Sequence, residues 1–169
     1  MQVLKQFSIP LKGLKIGHHD IAYQVDNEFF SAHESTLISD ADIGVNVSLE
    51  KKSDHLHFDI SFKGIMKTEC DRCSDPIDFP ISGEYEMVVK FDMDEREEEE
   101  VVYIHPDSPD FNCSKLIYDA IILSLPMHKT CDDVNGKECD PDVLDRFTGQ
   151  IEEKQEGNAF TEALKNLKL

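Results

Sequence analysis

Asp42-Ile43-Gly44-Val45-Asn46-Val47-Ser48-Leu49 is followed, past a turn at Ser53-Asp54, by Leu56-His57-Phe58-Asp59-Ile60-Ser61-Phe62. Both runs alternate apolar and polar residues. A period of two sends every apolar side chain of a strand to one face. Two such runs joined by a short polar loop predict an antiparallel hairpin with one buried face. The pattern extends outward in both directions. Ile21, Tyr23 and Val25 share a face before the hairpin, and Tyr85, Met87, Val89 and Phe91 repeat the alternation after it. Val3, Leu4, Phe7 and Ile9 read as a first strand closed by Pro10, and Val101 to Ile104 as a late one. One face of each run must find a shared core. The prediction is an α+β fold in which six to eight mostly antiparallel strands form a curved sheet or partial barrel.

One helix is expected, over residues 113 to 125. Asn112 is a suitable N-cap and Pro126 forces a stop after Leu125. Leu116, Ile117, Ala120, Ile121, Ile122, Leu123 and Leu125 leave it almost no polar face, which predicts a central, buried helix packed on the sheet. Asp119 is the exception, and a carboxylate there needs a partner or a route to solvent. Phe29 and Phe30 suggest a further helical turn. Val143, Leu144 and Phe147 fit a short docking helix. The chain then divides into a single α+β domain over residues 1–149 and, over 150–169, a polar linker with a small amphipathic tail helix. Phe160, Ala163, Leu164 and Leu167 recur in that tail at steps of three and four.

Cys70-Asp71-Arg72-Cys73 places two sulfurs on the inside of a tight turn, and Cys131 and Cys139 follow some sixty residues later. Four thiolates on two loops would make a closed, tetrahedral structural zinc site with no open position for water. His128 and Asp142 stand in reserve should one sulfur point away. The seven residues between Cys131 and Cys139 make a wider loop than a tight knuckle. Reduced, buried thiols acting as small hydrophobes, or a disulfide or redox role, are the competing readings, and five cysteines is an odd number for a disulfide framework. Cys113, at the helix start, reads as a buried structural thiol outside the metal set.

The formal charge of −18 disfavours unaided binding to phosphate backbones and favours a basic partner. Asp92 to Glu100 carries seven carboxylates in nine residues, a solvated loop or a docking strip. Histidines 18, 19, 33, 55 and 57 are expected on polar, solvated faces. The start of the chain lacks the unbroken apolar run of a signal peptide, and no segment reaches membrane-spanning length, so a cytoplasmic protein without membrane partners is expected. No phosphate-cradling glycine loop, nucleophile–base pair or carboxylate pair of defined geometry emerges, which predicts a protein that is not an enzyme.

The order of these features resembles the YceD-like family, whose members are named for large ribosomal RNA subunit accumulation. The resemblance rests on Cys70-x-x-Cys73 leading into strands, the acidic loop, the helix end Leu123-Ser-Leu-Pro126, a cysteine-bearing tail and the ending Asn158-Ala-Phe160 to Lys168. It covers residues 8 to 168. Many relatives carry four cysteines after the helix at spacings matching Cys131, Asn135, Cys139 and Asp142, and two of those positions are not cysteine here.

The resemblance implies a part in making or keeping 23S rRNA. With the charge, it suggests a non-enzymatic factor that binds a basic ribosomal protein or rRNA-processing factor. Glu97, Glu98, Glu99 and Glu100 would steer such a partner, and Phe160, Leu164 and Leu167 would anchor it. A zinc-knuckle RNA-binding module is the alternative.

Overall fold

The structure, a computed structural model, describes residues 3–35, 37–38, 40–94, 96–97, 101–134 and 136–152, with residues 147–152 described by backbone alone. Two compact units partition the chain. One comprises Met1–Thr68 and Asp78–Met127, the other Glu69–Ile77 and His128–Leu169.

The first unit holds the expected hairpin. β3 (Asp40–Lys51) pairs antiparallel with β4 (His55–Glu69), with Val45 opposite Phe62, Val47 opposite Ile60 and Leu49 opposite Phe58. These six are buried, as are Ile43 and Leu56, while Asn46 and Asp59 on the other face are exposed. A one-residue slip would invert that arrangement, so burial fixes the register. At Gly64 the two strands close so tightly that a Cβ would lie 2.2 Å from the Asp42 carbonyl oxygen.

β2 (Gly17–Val25) pairs antiparallel with β3 on one side, and β5 (Pro76–Phe91) lies beside β4 on the other. β6 (Arg96–Glu97) and β7 (Val101–Ile104) complete an open six-stranded sheet in the order β2-β3-β4-β5-β7-β6. Only the β5–β7 register is parallel among those described. The architecture is therefore mixed α+β with a mostly antiparallel sheet, and the sheet does not close into a barrel. β1 (Ser8–Pro10) and β8 (Asp110–Asn112) form a separate two-stranded ladder. The strand expected over residues 3 to 9 is mostly a 3₁₀ turn, Val3–Phe7, whose last ring is fully buried.

α1 (Asn27–Ala32) is capped by Asp26, whose carboxylate accepts the Glu28 and Phe29 N–H groups and so satisfies two donors the helix leaves open. α2 (Ser114–Leu123) starts one residue later than expected, with Cys113 at the cap position; Asn112 still works there, its side-chain oxygen accepting the Ser114 N–H at 2.9 Å.

α2 differs from its prediction in another way. Leu116, Ile117, Ala120 and Ile121 are buried, but Ile122 and Asp119 are half-buried and Leu123 is 72% exposed. Leu116, Ile122 and Leu123 line an open depression together with Tyr85 and Met87 of β5. The helix thus buries one face and leaves the other to solvent, despite its apolar composition. His33 departs from the expected solvated setting: it follows α1 and stacks on the Tyr118 ring at 4.7 Å and 17°. Burial there pushes its pKa down, against the opposing pull of Asp119.

In the second unit, α3 (Pro141–Glu152) begins as the expected amphipathic segment and continues into the start of the predicted linker. The tail beyond Glu152, including Phe160, Leu164 and Leu167, lies outside the described residues. No described helix is long and apolar enough to cross a membrane.

Candidate metal centre

The second unit brings the four expected cysteines together. Cys70 follows directly on β4, where the chain turns back within five residues. Its N–H donates to the Asp75 carbonyl at 2.8 Å, and its own carbonyl accepts the Ser74 N–H at 2.8 Å. Ser74 takes a left-handed φ of 61° to close this turn. On the other side, Cys131 opens the 3₁₀ turn Cys131–Asp133. The Asp133 carboxylate holds that turn by accepting both the N–H and the hydroxyl of Thr130 at 2.8 Å. Gly136 then adopts φ 81°, a conformation glycine reaches without steric cost. The wide Cys131–Cys139 spacing is taken up by these two bends.

Polar contacts fasten the halves to each other. The Asp71 N–H donates to the Lys129 carbonyl at 2.8 Å, and the Lys129 N–H donates back to the Asp71 carboxylate at 2.6 Å. Arg72 pairs with Asp132 at 2.8 Å, and the Lys137 ammonium donates to the Pro76 carbonyl.

All four sulfurs lie within 4.8 Å of one another. Cys70 Sγ is 3.8 Å from Cys139 Sγ, and Cys73 Sγ is 3.6 Å from Cys131 Sγ. A tetrahedron with metal–sulfur bonds of about 2.3 Å has edges of about 3.8 Å, so the donor set fits a zinc ion in size as well as in chemistry. All four residues are buried. Burial pushes the Cys131 and Cys139 thiols up. It acts on Cys70 in the same sense, but the backbone N–H groups of Cys73, Arg72 and Cys131 outweigh it and bring that thiol down to about 6. The Arg72 N–H donates to Cys70 Sγ at 3.4 Å. A bound divalent cation would stabilise all four as thiolates.

Neither reserve ligand belongs to this cluster: His128 and Asp142 are exposed, and among the described residues the candidate set is the four cysteines. Cys113 sits in the first unit, where its S–H donates to the Phe7 carbonyl at 3.1 Å and burial pushes its pKa up to about 11.

Of the residues expected to meet a partner, Glu97 lies in β6 with its carboxylate accepting from the Lys115 ammonium. Glu98, Glu99 and Glu100 lie outside the described residues. One cluster was not anticipated. His57, Asp59 and Glu86, on β4 and β5, bring three ligand-type atoms within 4.8 Å on the exposed sheet face. The period of two places each on the polar side, but their proximity depends on how β5 is set against β4, which no local pattern specifies.

These observations define a mixed α+β protein with a buried four-thiol centre built from a Cys-x-x-Cys turn and a second, wider loop. The sequence model of the family described as large ribosomal RNA subunit accumulation protein YceD matches residues 58–168, and the chain belongs to that family. The match takes in both halves of the thiol centre and α2. No curated protein and no solved structure matched the chain.

Proposed function

We propose that this chain is a non-enzymatic factor in large ribosomal subunit biogenesis, which supports 23S rRNA accumulation by binding a basic ribosomal protein or processing factor. Membership of a family named for large ribosomal RNA subunit accumulation carries the reading. The formal charge of −18 sets the sign of the partner, since such a surface attracts a basic protein and repels a phosphate backbone. In this reading the carboxylates of Asp92 to Glu100 speed encounter, and the apolar stripe Phe160, Leu164 and Leu167 supplies buried contact.

The four cysteines have a structural role. A zinc ion held by four thiolates has no open position for substrate and would serve to pin the Cys70–Cys73 turn to the Cys131–Cys139 loop. The RNA-binding alternative is weakened at the knuckle itself, where Arg72 and Lys129 are engaged by Asp132 and Asp71. A pull-down from cell extract, with and without nuclease, tests the proposal. Basic ribosomal or processing proteins that stay bound after nuclease treatment support it. Capture that vanishes with nuclease supports the RNA-binding module instead.

A further inference from the structure

The four sulfurs do not fall into pairs along the sequence. All four sulfurs lie within 4.8 Å of one another, and approaches of 3.8 Å and 3.6 Å join Cys70 to Cys139 and Cys73 to Cys131, so each of these takes one sulfur from the Cys-x-x-Cys turn and one from the later loop. Each pair is also uneven in exposure. Cys139 is 8% and Cys73 7% accessible, whereas their neighbours Cys70 and Cys131 are at 1% and 0%. Each pair therefore joins a residue with slight solvent contact to one with almost none. A disulfide requires the sulfurs to approach to about 2.05 Å. The sulfurs would close by about 1.5–1.8 Å from the observed separations.

We infer that the four-thiol centre is a redox modification site, which peroxide converts into two crossed disulfides, Cys70–Cys139 and Cys73–Cys131. The thiolate of the more accessible residue, Cys139 or Cys73, attacks a peroxide oxygen. The O–O bond breaks, hydroxide leaves, and the sulfur becomes a sulfenic acid. The paired thiolate, Cys70 or Cys131, then attacks that sulfur; the S–S bond forms, the S–O bond breaks and the second oxygen leaves as hydroxide. Each pair gives up two electrons to one peroxide, and two protons complete two waters. A zinc ion held by these thiolates is released unchanged in oxidation state.

The crossed pairing has a structural consequence. Disulfides within each segment would leave the Cys70–Cys73 turn and the Cys131–Cys139 loop joined by their polar contacts alone once a metal left. Crossed disulfides keep the same two segments tied, so the second unit holds together in both redox states. The inference uses the sulfurs of the proposed metal centre but not the metal, and it stands if zinc is never bound.

The chain is well suited to a direct test. Arg72 lies between Cys70 and Cys73, and Lys137 between Cys131 and Cys139, so trypsin separates all the cysteines, including Cys113. The full-length protein is treated with hydrogen peroxide, once loaded with zinc and once after chelation, then digested without reduction and mapped by mass spectrometry. The expected result is peptide 68–72 linked to 138–146 and peptide 73–90 linked to 130–137, with the Cys113 peptide 97–115 unlinked and zinc lost from the loaded sample. Linkage of 68–72 to 73–90, oxidation that proceeds to sulfinic acid without disulfides, or thiols that stay free under excess peroxide overturns the inference. Absence of zinc in the purified protein bears on the metal centre alone.

Discussion

Gly64→Ala tests whether the β3–β4 hairpin is built as described. The added Cβ would stand 2.2 Å from the Asp42 carbonyl oxygen, 2.5 Å from Ile43 Cα and 2.9 Å from Ile43 Cγ1. Two of those neighbours are backbone, so no side chain can swing aside, and the strands must part by about 1 Å to reach ordinary contact. Overpacking of this kind costs about 1–3 kcal/mol. A ladder bond lost in the separation adds about 0.5–1.5 kcal/mol. Replacing glycine in a strand would otherwise be favourable by about 0.5–1 kcal/mol. The net loss is about 0.5–4 kcal/mol against a typical stability of about 5–15.

With a urea slope of about 2 kcal/mol/M, the unfolding midpoint should fall by about 0.25–2 M. Gly44→Ala is the internal control. Its Cβ would meet only the Lys63 carbonyl oxygen at 3.7 Å and Gln24 Oε1 at 3.8 Å, ordinary contacts, so that variant should hold or gain stability. Equal midpoints for the two variants would refute the close approach at Gly64, and with it the register.

Elemental analysis of protein purified without a polyhistidine tag should find about one zinc per chain; Cys73→Ser should lose it and Cys113→Ser should retain it, because only the former removes a member of the cluster. Asp119 provides a pH test. Burial raises its carboxyl above the usual range, with Glu97 acting in the same sense and Lys115 and His33 opposing. A raised folded-state pKa means stability is fullest below the unfolded pKa and is lost as pH rises through the folded value. Asp119→Asn should therefore be more stable than the parent at neutral pH and lose that advantage in acid, as read by melting temperature across pH 3 to 8.

The hairpin was legible because a period of two is a local property: Ile43, Val45, Val47, Leu49, Leu56, Phe58, Ile60 and Phe62 are all buried as the alternation requires. The thiol centre was legible in part. Cys-x-x-Cys announces a turn, but the closeness of Cys131 and Cys139 depends on the capped 3₁₀ turn and the left-handed Gly136, neither of which the cysteine spacing reveals. α2 was misread because composition counts apolar residues without knowing how much surface the sheet offers them, and Leu123 is left outside. Phe7 shows the reverse case, a fully buried ring in a 3₁₀ turn where alternation over a few residues suggested a strand. His33 owes its setting to the Tyr118 ring, eighty-five positions away in sequence, and no local pattern records that.

The ratio of 23S to 16S rRNA in cells depleted of this protein bears most directly on its place in large-subunit biogenesis. The ratio should fall on depletion and recover when the full chain is supplied again. A ratio that stays constant through depletion, with growth otherwise affected or not, would contradict a role in large-subunit rRNA accumulation.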